Sequence, residues 1–285
     1  MTLADEASRA GLHKVGGRPP FGSYLRQVWE RREFIYALAR FRVEAENGRN
    51  RLGMAWVILK PLLNAGVYGL IFGLILSTHK GVDDFVPFLV IGALMIEYFS
   101  TCLTMGAKSI TSNAALVQSL SFPRMALPLA LVTQRLLMFI PTVGVMLLVA
   151  VAWGNRPTWE WLLIIPVTVT FTIFNTGVTL ITARLTVHFR DMTQLLPFIS
   201  RFIFYSTGVF FSFEERFRDH PTALEIVAFQ PLHEFLTLGR TIFLGGPQYE
   251  VEPKFFIYST VWAIVVLALG ARFFWAAEER YGRTD

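Results

Sequence analysis

Six stretches of about twenty mostly apolar residues, one of them slightly interrupted, alternate with polar segments along the chain, at residues 56–77, 86–107, 127–152, 159–183, 194–213 and 255–275. A helix rises about 1.5 Å per residue, so each stretch predicts a helix able to cross the ~30 Å hydrocarbon core of a bilayer. Runs such as Trp56–Ser77 and Leu127–Trp153 are apolar all round, where a soluble core helix keeps a polar face. The pattern predicts an all-α polytopic membrane protein, with six transmembrane helices spread over residues 56–276.

The segments between the runs carry their own patterns. Residues 1–20 hold Gly16-Gly17 and Pro19-Pro20 with little apolar content, which predicts a disordered tail. In residues 21–55, Leu25, Val28, Trp29, Ile35, Leu38 and Phe41 interleave with Arg26, Arg31, Arg32, Arg40 and Arg42 at near-helical spacing. That spacing reads as an amphipathic helix lying in the membrane interface, or as a juxtamembrane helix packed only on protein. The loop 108–126 predicts a short amphipathic helix from about Asn113 to Leu120, stopped before an exposed Phe122-Pro123-Arg124 tip. Residues 214–254 hold two apolar halves, each too short to span and broken at Gln230-Pro231, which predicts two short re-entrant helices. A tail of residues 277–285 follows the last run.

Composition agrees: 53% of the residues are hydrophobic and 16% charged, unusual for a soluble domain of this length. No signal peptide is expected, because a long hydrophilic stretch precedes the first apolar run. The net charge of +5 could suggest nucleic acid, but the arginines cluster before the first span. Basic residues near span ends favour the cytoplasm, so both termini are expected there, and the basic pI needs no nucleic acid. Inside the spans, Lys60 can snorkel to the interface. Glu97 is the one clear acid at bilayer depth, expected to face the protein interior and to be paired or protonated. Thr168, Thr170, Thr172, Asn175, Thr176, Thr179 and Thr182 make the fourth span polar, for lining a cavity or for interhelical hydrogen bonds.

Catalytic patterns are missing. There is no G-x-x-x-x-G-K-[ST]; Gly106-Ala107-Lys108-Ser109 lacks the glycine that cradles phosphate. No H-E-x-x-H, C-x-x-C or G-x-S-x-G occurs, the five histidines are scattered, and the single Cys102 cannot form an intrachain disulfide. The chain is therefore expected to be a conduit rather than an enzyme, with no metal or cofactor of its own. An ion-coupled secondary transporter of a lipid or glycan is the alternative, but it needs paired ionisable groups at mid-membrane, and Glu97 stands nearly alone.

The order of short motifs is recognisable: Arg51-Leu52-Gly53-Met54-Ala55-Trp56, Lys60-Pro61-Leu62, Ile71-Phe72-Gly73, Phe122-Pro123-Arg124, Phe189-Arg190-Asp191, Gly208-Val209-Phe210-Phe211 and Gln230-Pro231-Leu232 before Gly239-Arg240. Together they resemble the membrane subunit of ATP-binding-cassette exporters of polyprenyl-pyrophosphate-linked polysaccharides, of the O-antigen, teichoic acid and galactan types. The wording looks closest to the galactan-lipid exporters of actinobacterial cell walls. The resemblance implies a homodimer in the bacterial cytoplasmic membrane, driven by two separate nucleotide-binding subunits that carry ATP and Mg. It implies a coupling loop at Ser121, Phe122, Pro123 and Arg124, with Arg190 and Asp191 as an inner-loop pair. Phe171, Phe174, Phe198, Phe202, Tyr205, Phe210 and Phe211 become candidates for an aromatic channel belt, and Pro231, Leu232, Gly239 and Arg240 for a gate. One departure stands out: Glu44–Asn50 replaces the shorter basic link expected before Leu52-Gly53.

Overall fold

Proline and glycine fix several of the helix ends in this chain. Pro231 opens a helix at its first position, where a missing N–H costs nothing, and Gly154 and Gly208 take φ of +94° and +72° just after two others end. In the computed structural model, residues 19–48, 50–75, 84–119, 122–217, 229–245 and 253–281 are described. All the regular elements among them are helical.

The expected interfacial helix is two helices, α1 (Phe21–Glu30) and α2 (Arg32–Gly48), meeting at Arg31. α3 (Trp56–Tyr68) runs on into a wider π turn at Gly69–Ile75. α4 (Phe85–Ala107) is followed by the short α5 (Ala114–Ser119), close to the helix expected there. Then come α6 (Ala126–Ala152), α7 (Ile164–His188), α8 (Met192–Ser206) and the single turn α9 (Phe213–Arg216). α10 (Pro231–Phe243) and α11 (Pro253–Trp275) complete the described chain. The first half of the expected re-entrant pair lies outside the described residues.

Among the described residues, five helices are long and apolar enough to cross a membrane: Gly53–Phe72, Phe85–Ala107, Ala126–Ala152, Trp159–His188 and Pro253–Trp275. This is a multi-pass membrane protein. The run at 194–213 instead gives α8, whose 15 residues reach about 22 Å at 1.5 Å per residue. Thr207 and Gly208 turn the chain out of the helix before it attains spanning length.

α4 is the central post, buried on nearly every side and touching α3, α6, α7, α8 and α10. Tyr98 on α4 stacks on Phe139 of α6 at 4.4 Å and meets Phe171 of α7 edge-on at 5.6 Å. α7 and α11 form the most extensive helix pair. Their backbones touch where Gly177 faces Val266 and Gly270, since a Cβ on Gly177 would lie 2.5 Å from the Val266 carbonyl. Small residues at such a crossing let helices approach without an intervening layer of side chains. Of the α7 threonines, Thr170, Thr172, Thr176 and Thr182 bond carbonyls of their own helix. Thr179 donates across to the Cys102 carbonyl at 3.1 Å, and Thr172 pairs with the Tyr98 hydroxyl at 3.0 Å.

Glycine contacts make the seam testable. Alanine is favoured over glycine in a helix by about 1 kcal/mol, so Gly144→Ala in α6, with open space around it, is expected to be neutral or stabilising. Gly177→Ala is expected to abolish the monodisperse peak in size-exclusion of detergent-extracted protein; an unchanged profile would show that α7 and α11 can separate freely.

Candidate translocation surface and coupling site

Both termini of the described chain meet at one end of the bundle. Tyr24 of α1 is buried there and donates its hydroxyl to Glu278 Oε2 at 2.7 Å, while accepting the Met125 N–H at 3.1 Å. Glu278 Oε1 accepts the Arg124 N–H at 3.0 Å and lies 3.5 Å from the Arg124 guanidinium. Burial raises the Glu278 carboxyl above its ordinary range, against the pull of the Arg124 and Tyr24 hydrogen bonds. Around this node Phe34 of α2 packs on Phe122 at 5.6 Å, and Trp275 donates to the Pro19 carbonyl at 2.9 Å.

The Phe-Pro-Arg tip is therefore not the exposed projection expected from the sequence. Pro123 is buried and Phe122 and Arg124 are half-buried, because the carboxylate and two helices hold the tip against the bundle. Ser121 lies outside the described residues. The exposed part of the loop is earlier, at Thr111, Ser112, Ala114 and Ala115. Arg190 and Asp191 are exposed, and the Asp191 carbonyl accepts the Gln194 and Leu195 N–H groups that start α8.

α1 and α2 have two apolar faces. Tyr24, Val28, Ile35, Ala39 and Val43 are buried on protein, whereas Trp29 and Phe41 stay 71% and 66% exposed. The pair packs on the bundle through one apolar face and leaves the aromatics of the other uncovered. The Glu44–Asn50 link has a clear job, since Glu46 accepts from Arg135 Nη2 and from Gln134 Nε2, each at 2.9 Å. Arg135 also borders a cavity of about 90 Å³ with Lys60, Glu97 and Tyr98. Glu97 corrects an expectation. It is exposed at the side of the bundle and bonded by Asn64 Nδ2 at 3.0 Å, because the rest of α4's circumference is filled by packed apolar residues.

The aromatic belt divides. Phe198, Phe202 and Tyr205 share one face of α8 and are 68%, 73% and 59% exposed. Tyr205 stacks on Phe210, which also meets Phe72 at 5.4 Å; Phe211 packs on Phe213 at 5.0 Å. Phe171 and Phe174 do not belong with them. Both are buried under Phe235 of α10, at 4.6 and 5.5 Å, and serve the core.

At the opposite end, α10 is buried on almost every side, so the proposed gate is packed in protein. Pro231 starts it, Leu232 is buried, and Gly239 seats against Met95. Arg240 donates Nε to the Phe88 carbonyl at 3.1 Å and Nη2 to the Gly208 and Val209 carbonyls at 3.0 and 3.2 Å. Its guanidinium also lies 3.5 Å from the Phe88 ring centre, in space left by Gly92. Glu234, six residues earlier on the same helix, is fully buried with neither oxygen hydrogen-bonded among the described residues. That burial pushes its carboxyl up to about 8.

Residues 35–218 match the ABC-2 type transporter family. The chain belongs to it. Similar proteins include the O-antigen export system permease protein RfbA of Myxococcus xanthus, 25% identical over 260 residues that cover 91% of this chain and 98% of that protein. A protein of the same name from Klebsiella pneumoniae is 28% identical over 222 residues, covering 76% and 83%. The family match in this ABC-2 transporter chain starts inside α2 and stops short of α10, so the Glu278 turn and the Arg240 lock lie beyond it. Sequence reading missed Tyr24, Glu46, Gly92, Glu234 and Glu278. The partners of Tyr24, Glu46, Gly92 and Glu278 sit far along the chain, where no periodicity marks such pairs, and Glu234 has no hydrogen-bond partner among the described residues.

Two outcomes test the α10 site. Arg240→Met should orphan the Gly208 and Val209 carbonyls at about 1–3 kcal/mol each, whereas the Phe88 carbonyl keeps its helical partner. Faster amide exchange through residues 207–212 and a lower Tm are expected; unchanged exchange would mean those carbonyls find other donors. Glu234, raised from its ordinary 4.5 to about 8, keeps a proton when folded that the unfolded chain releases. The contribution of this group to stability is then full below pH 4.5 and is lost as pH rises to about 8. Glu234→Gln should flatten that part of the Tm–pH curve and exceed the parent at pH 8; parallel curves would reject it.

Proposed function

We propose that this ABC-2 chain is the membrane subunit of an exporter that moves a polyprenyl-pyrophosphate-linked polysaccharide across the bacterial cytoplasmic membrane. The observation that carries the reading is the row Phe198, Phe202 and Tyr205 on α8, apolar, aromatic and uncovered in a single copy. The negative face of an aromatic ring attracts the C–H face of a sugar without strong directional bonds, so a polymer can slide along such a row. A second copy of the chain facing this row would close a lined route. The match to O-antigen export permeases supports a lipid-linked glycan as cargo. The galactan assignment rests on sequence resemblance alone.

In this reading both termini are cytoplasmic. The ATP-binding subunits dock on the loop 108–126, through the exposed Thr111–Ala115 edge rather than the buried tip. α10 lies toward the outer surface, as a packed gate. An ion-coupled mechanism finds little support, since Glu97 is bonded to an amide at the side of the bundle.

Purification of the chain from native membranes is expected to bring down a Walker-A ATPase in equal amount. Vesicles holding both should take up polyprenyl-diphosphate glycan only with ATP. Uptake by the chain alone under an ion gradient would overturn the proposal.

A further inference from the structure

Glu278 joins parts of the chain that the transport reading treats separately. One of its oxygens holds the coupling tip through the Arg124 N–H and guanidinium, and the other holds α1 through Tyr24. The same Tyr24 hydroxyl accepts the Met125 N–H, so the tip is gripped at two successive amides. Tyr24 belongs to an apolar cluster that includes Val28, Ile35, Met125 and Phe274, and the Glu278 side chain bonded to it is buried too. Apolar contacts such as Phe34 on Phe122 can slide, because burial has no preferred direction. Hydrogen bonds to a buried carboxylate are directional, and a shift of about 1 Å breaks them. Tyr281 ties the turn that carries Glu278 back to α11, stacking on Phe274 at 4.6 Å and donating its hydroxyl to the Phe274 carbonyl at 3.0 Å.

We propose that Glu278 is a positioning residue that makes the tip and α1 one mechanical unit, so that a stroke delivered to loop 108–126 displaces α1. The proposal rests on the transport reading above. α1 carries the exposed Trp29 and Leu25 on its free face, so its displacement moves amphipathic surface in the headgroup layer. Nucleotide thereby reaches the membrane surface where a lipid-linked cargo would be admitted, by a route separate from the spans.

The test uses the chain reconstituted in vesicles with its ATP-binding subunit. Buried Cys102 is replaced by alanine, and Arg26→Cys, on the exposed face of α1, carries an environment-sensitive fluorophore. ATP is expected to change the emission. Tyr24→Phe, which deletes one oxygen, and Glu278→Ala should reduce that change and the export per ATP hydrolysed by about fivefold or more, while hydrolysis continues. Glu278→Gln should fall between, since its amide oxygen still accepts the Arg124 N–H. If Glu278→Ala does not fold, Tyr24→Phe decides. An ATP response of α1 that survives Tyr24→Phe, or an exporting parent whose α1 is silent, overturns the link. A parent with no ATP-dependent export at all refutes the transport reading instead.

Discussion

A bilayer offers no water to a chain that leaves its helix, so each broken helix end within the bundle must find its partners in protein. α8 meets that constraint at Thr207 and Gly208, short of spanning length, where the chain just past the helix leaves the Gly208 and Val209 carbonyls without a backbone partner among the described residues. The guanidinium of Arg240 supplies the donors. It is planar, permanently charged and presents five N–H groups in a fixed fork, so one side chain serves the Gly208, Val209 and Phe88 carbonyls together. Gly92 is the vacancy it occupies on α4. The aromatic row of α8 ends where it does because α10 brings an arginine to that spot.

The other end of the bundle uses the complementary solution. There the surplus groups are N–H donors, those of Arg124 and Met125 at the start of α6, and the collector is a carboxylate with a tyrosine beside it. Each hub draws together three segments far apart in the chain, and each is buried, so its bonds act in a low-dielectric setting. Glu46 on Arg135 repeats the device at smaller scale between α2 and α6. The apolar surface collects the helices, and these polar hubs set their register.

Much of this was legible beforehand and some was not, for physical reasons. Runs of apolar residues mark membrane helices because the bilayer selects for length and hydropathy alone, and the five long helices fall close to their expected positions. The break after Ser206 was missed because Val209, Phe210 and Phe211 are as apolar as a span, and hydropathy does not register the turn at Gly208. Phe171 and Phe174 read like Phe198 and Phe202 in sequence. Only the presence of α10 over α7 separates core from surface. Glu97 was expected inside because isolated acids avoid lipid, yet one Asn64 amide and an open flank suffice for it.

The Gly177–Gly270 crossing has a bearing on how such a molecule can change shape. With two main chains in direct touch, no rotamer layer lies between α7 and α11 to be reshuffled, so this pair behaves as a stator. α8 rests on α4 along one flank and barely reaches α7. If the aromatic row of α8 borders a passage as proposed, its widening would fall to α8 moving against the α7–α11 pair, and its calibre would follow from the tilt of one short helix.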